Sequence, residues 1–124
     1  MSNHEQKSVV PLHPGELRAL HTAIGSYLNY LRNVSQPSRR RDTLMTVLQG
    51  VCMRLTRMLS LGKKIEGEQL WLTDIEVWAI DVAMLAFCRG VRLVVESSQQ
   101  RDETLRELDK VRVRIKSLLL PSLN

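Results

Sequence analysis

The chain repeats itself at an offset of 60 residues without a gap. Leu12, Glu16, Ala19 and Ala23 recur as Leu72, Glu76, Ala79 and Ala83, and identity resumes at Arg32/Arg92, Arg41/Arg101, Asp42/Asp102, Leu48/Leu108, Val51/Val111, Arg54/Arg114 and Leu59/Leu119. Conservative pairs such as Leu17/Val77, Ile24/Met84 and Tyr27/Phe87 fill the spaces. The pattern reads as an internal duplication, in which both halves take one local structure and their differences mark specialisation.

Both halves open with a helix-start signal. Thr73-Asp74-Ile75-Glu76 is a capping box, in which hydroxyl and carboxylate satisfy each other's free backbone donors. His13-Pro14-Gly15-Glu16 stands at the equivalent place, with His13 at the cap and Pro14 at the first helical position. Leu12 with Leu17, and Leu72 with Val77, supply a hydrophobic staple across each start.

Periodicity then predicts four helices. The first runs from about Pro14 to Val34 and ends ahead of Pro37. The second starts near Ser38, carries Met45, Leu48, Cys52, Leu55 and Leu59 on one stripe, and stops at Gly62. The third spans about Thr73 to Glu96, and the fourth about Gln99 to Leu120, ahead of Pro121. The organisation expected is a loose arm over 1–9, a hairpin over 10–61, a linker over 62–72 with a short extended piece at Gln69 to Leu72, and a second hairpin over 73–120. Two helical hairpins that each expose an apolar face close most simply as an all-α antiparallel four-helix bundle. A dimer that swaps hairpins between chains satisfies the same pattern.

Aromatic residues make up only 4% of the chain against 44% hydrophobic residues, so a core of Leu, Val, Ile, Met and Ala is expected, which suits helices better than a sheet. The two cysteines, Cys52 and Cys88, are far apart, no secretory signal pattern opens the chain, and the apolar run Val77 to Cys88 is broken by Asp81. A cytoplasmic protein without a membrane span is expected.

The halves differ in two ways that bear on function. On the third helix, Val77, Ile80, Met84, Phe87, Val91 and Val94 form a core face, yet the opposite face carries Ile75, Trp78, Val82, Leu85 and Leu93, interrupted only by Arg89. The first helix places Gly15, Arg18, Thr22, Gly25, Asn29 and Asn33 there. An outer face that is apolar in one half alone predicts burial against a protein partner or a second copy.

Charge is divided in the opposite sense. Residues 1–60 hold eight Lys or Arg against three acids, whereas residues 61–124 hold ten of each, so the net charge of +5 resides in the first half. The second helix has no acid from Thr43 to Lys64. Arg39, Arg40, Arg41, Arg54, Arg57, Lys63 and Lys64 are therefore the candidate phosphate contacts, and scarce aromatics restrict any such contact to the nucleic-acid backbone. In the fourth helix the acids come early and the bases late, which complements the helix dipole.

Catalysis lacks a signature. No Glu-x-x-His pair marks a di-metal bundle, His21 stands alone, and the cysteines fall on apolar faces. The sequence thus predicts a non-enzymatic adaptor or accessory subunit without cofactor or metal. It would oligomerise or dock a protein through the third helix and offer a basic surface to nucleic acid. The alternative is a protein-interaction or scaffold module with no nucleic-acid role.

Overall fold

Val10 and Leu12, and likewise Leu70 and Leu72, alternate as strand residues do when one side faces a core. In the computed structural model, which describes residues 7–60 and 69–123, these segments pair. Strands β1 (Lys7–Pro11) and β2 (Gln69–Thr73) form an antiparallel ribbon with Val10 opposite Leu70. Val10, Leu12, Leu70 and Leu72 are buried, and Trp71 on the outer side is exposed. Val10 and Leu70 are 60 positions apart, so one rung of the ribbon joins residues related by the sequence offset. The arm expected to be loose over 1–9 is therefore structured from Lys7. Its partner strand lies far along the chain, and no local pattern around Lys7 and Ser8 signals the pairing. The extended piece expected before the second hairpin is β2, and residues 61–68 of the linker lie outside the described residues.

Helices α1 (Pro14–Asn33) and α3 (Asp74–Val94) start directly after the strands. Both capping boxes form. The His13 ring accepts from the Glu16 amide at 3.4 Å and Glu16 accepts from the His13 amide at 3.2 Å. Thr73 Oγ1 accepts from the Glu76 amide at 3.3 Å, and Glu76 accepts from the Thr73 amide at 2.9 Å. Helices α2 (Arg39–Ser60) and α4 (Gln99–Leu123) follow short turns, and here too one device serves both starts. Ser38 Oγ accepts from the Arg41 amide at 3.0 Å, and Ser98 Oγ from the Arg101 amide at 3.1 Å. Helix α4 continues through Pro121, beyond its expected end. A proline this near the terminus removes only one of the last backbone bonds.

The four helices pack on one another within the chain, with the ribbon against them, around a core that includes Leu20, Ile24, Leu48, Ile80, Met84 and Leu108. Helices α1 and α3 each pack against every other helix, whereas α2 and α4 flank them. The inner position of α3 explains part of its apolar circumference. No helix among the described residues is long and apolar enough to cross a membrane.

Candidate docking site

Two capping carboxylates hold the halves together. Arg114 from α4 reaches Glu16 at the start of α1 with a two-point contact, Nη1 to Oε1 at 2.7 Å and Nη2 to Oε2 at 2.8 Å, while Nη1 also donates to the Pro11 carbonyl at 2.7 Å. Arg54 from α2 does the same in reverse, donating to Glu76 at the start of α3 and to the Trp71 carbonyl. All three positions of one clasp are offset by 60 from those of the other. Glu16 is wholly buried, and burial alone would raise its carboxyl pKa. The Arg114 hydrogen bonds and charge, with the His13 amide, outweigh burial and hold it below the ordinary range. The guanidinium of Arg114 is correspondingly raised, first by its hydrogen bond to Glu16.

This clasp decides the standing of the sequence-derived basic residues. Arg54 is engaged internally. Arg41 is half-buried, donates Nε to the Leu31 carbonyl at 2.7 Å and lies 3.8 Å from Asp42. Arg39, Arg40 and Arg57 are exposed, and Arg40 sits over the Trp78 ring, 5.8 Å from its centroid. Lys63 and Lys64 lie outside the described residues. Arg39 and Arg57 share a helical face 18 residues apart, about 27 Å along the axis, a sparse row rather than a cluster.

The apolar stripe of α3 is likewise divided. Trp78 and Val82 are half-buried and pack against the core. Ile75, Leu85 and Arg89 are exposed, and Leu93 is 81% exposed. The free apolar surface is therefore concentrated at the C-terminal end of the helix, where Val94 is 82% exposed. There α3 and the C-terminal half of α1 enclose a groove of about 820 Å³. Tyr27, Tyr30, Phe87, Leu93 and Val94 line it, and the two tyrosine rings stack with centroids 6.0 Å apart. Tyr27 and Phe87 are equivalent by the 60-residue offset, and Tyr30 is equivalent to Gly90. The absent side chain at Gly90 leaves a gap, since a Cβ there would meet nothing within 4 Å. The groove brings Arg89 and Leu93 of the expected interface together with residues that the helical wheel assigns elsewhere. Val94, which the spacing places on the core face, is instead 82% exposed as the last residue of α3.

One further cluster gathers at the start of α1. Ligand-type atoms of His13, Glu16 and Glu107 lie within 4.8 Å of one another, the one such group among the described residues. The cap uses His13 Nδ1 as acceptor, which assigns the ring proton to Nε2, facing Glu107 at 3.4 Å and Glu16 at 3.5 Å. In this arrangement the Nδ1 lone pair is engaged by the Glu16 amide, Glu16 is paired with Arg114, and Glu107 Oε2 has no hydrogen-bond partner among the described residues. His21 is bonded to Thr56 Oγ1 at 2.9 Å, and its equivalent Asp81 to Arg112 at 3.2 Å. Cys88 is buried, which raises its thiol pKa against the opposing pull of Arg92 and Arg112. No family model, no curated protein and no solved structure matches this chain.

Proposed function

We propose that this protein is a non-enzymatic adaptor that docks a protein partner through the groove between the C-terminal halves of α1 and α3. The observation that carries the reading is the concentration of exposed apolar side chains there: Tyr30, Leu93, Val94 and Val95 are all solvent-exposed around a concave surface. A helical protein gains nothing in solubility or folding from leaving such residues in water. Burying them against a partner supplies binding energy.

A photoreactive residue placed at Leu93 tests this against one at Met53, which is 73% exposed on α2. Position 93 is expected to give a discrete cross-linked product in the source cell, lost when Gly90→Trp fills the groove, and position 53 is expected to give none. Equal yields from both positions, or insensitivity to Gly90→Trp, would refute the docking reading. A basic surface for nucleic acid is the second reading, supported by the exposure of Arg39, Arg40 and Arg57 and the absence of an ion pair to any of them among the described residues.

A further inference from the structure

The groove has a charge pattern as well as a shape. Arg89 lines it and is exposed, and among the described residues no carboxylate belongs to the lining. The apolar trough thus carries one cation, Arg89 of α3, and no acid. A second copy of the chain presenting the same face would bring a second Arg89 and no acid from its lining.

The walls also restrict the occupant's backbone. Both are helices, whose backbone amides at this end are engaged within the helix, so the groove offers a docked strand no row of alternating donors and acceptors. A docked strand would leave one edge unsatisfied, whereas a helix satisfies its own backbone and packs its side-chain ridges between α1 and α3. We propose that the groove receives an amphipathic helix of a partner protein, with an apolar face seated between Tyr30 and Leu93 and with Asp or Glu flanking that face to meet Arg89. This identification rests on the docking reading above and adds the partner's chemistry to it.

A displayed library of random peptides about 16 residues long, roughly four helical turns, is selected on the full-length protein and counter-selected on Gly90→Trp. A second counter-selection uses Leu93→Ser/Val94→Ser, whose two sites are exposed enough to spare the fold. The expected winners carry apolar residues at i, i+3 or i+4, and i+7, with flanking acids. Changing those acids to Lys is expected to weaken binding about threefold, the worth of one rim ion pair. Groove-dependent winners with neutral or basic flanks would overturn the acidic assignment and leave the docking reading standing. If no winner depends on the groove, both fall. A concentration-dependent dimer abolished by Gly90→Trp would make a second copy the occupant and overturn the proposal.

Discussion

Replacing Arg114 by Met keeps the length and the apolar stem of the side chain and removes the charge that faces Glu16. Glu16 has no exposed surface, so water cannot take the place of the guanidinium. Removing one partner of a fully buried ion pair costs about 3–5 kcal/mol. Arg114 is itself 36% exposed and the His13 amide still donates to Glu16, which places the expected loss nearer about 2–3 kcal/mol. The equivalent change, Arg54→Met, leaves Glu76 with 18% of its side chain in water, and there the expected loss is about 1 kcal/mol. For a domain of this size the two losses correspond to about 10 °C and about 4 °C in Tm.

The loss at Arg114 also depends on pH. In the native protein the Glu16 carboxyl lies below its ordinary 4.5, so its ionisation contributes stability above that value that disappears as pH falls through the native pKa. Without Arg114, burial is opposed only by the neighbouring His13, and the carboxyl pKa moves upward from its native position. The variant's deficit is therefore largest near pH 7 and narrows as acid protonates Glu16. Urea unfolding followed by circular dichroism between pH 7 and pH 4 measures this directly, and the double variant Glu16→Leu/Arg114→Leu should lose less than the sum of its single changes. Equal losses at Arg114 and Arg54, or a deficit that is constant with pH, would refute the argument from burial.

Gly90→Ala is expected to stabilise the protein by about 0.5–1 kcal/mol, because the new methyl enters open space inside a helix, and thermal melts would show it. Val82→Asp puts a charge on a half-buried side chain packed on the core and is expected to cost about 2–3 kcal/mol, whereas Leu93→Asp, at a free surface, should stay within about 0.5 kcal/mol by urea titration. Thiol labelling at neutral pH should modify half-buried Cys52 first, and Cys88 only at the rate of local opening, since burial raises the thiol pKa and blocks access. If the α2 row meets phosphate, Arg39→Gln/Arg57→Gln should reduce the salt slope of nucleic-acid binding by about two counterions, and Arg106→Gln/Lys116→Gln, two exposed bases of α4, should not. Equal effects from both pairs would leave only net charge, and no site.

Local chemistry made much of this protein readable in one dimension. A capping box needs residues only three positions apart, and a buried helical stripe repeats every three or four, so Thr73 with Glu76, Leu48 with Leu55, and the four helix starts could be recognised without knowing what packs where. The 60-residue offset carried the same information twice. Contacts between distant segments left no such trace. Lys7 and Ser8 pair with a strand more than 60 residues away, Arg54 is drawn from apparent phosphate duty into a clasp on Glu76 while Arg114 closes the matching clasp on Glu16, and Trp78 and Val82 turn inward because α3 sits between its neighbours. A helical wheel gives each side chain an angle but not the body that lies at that angle. Packing alone determines which charges find a partner and which apolar residues stay in water, and so the groove at Tyr30 and Leu93 exists only once α1 and α3 are set side by side.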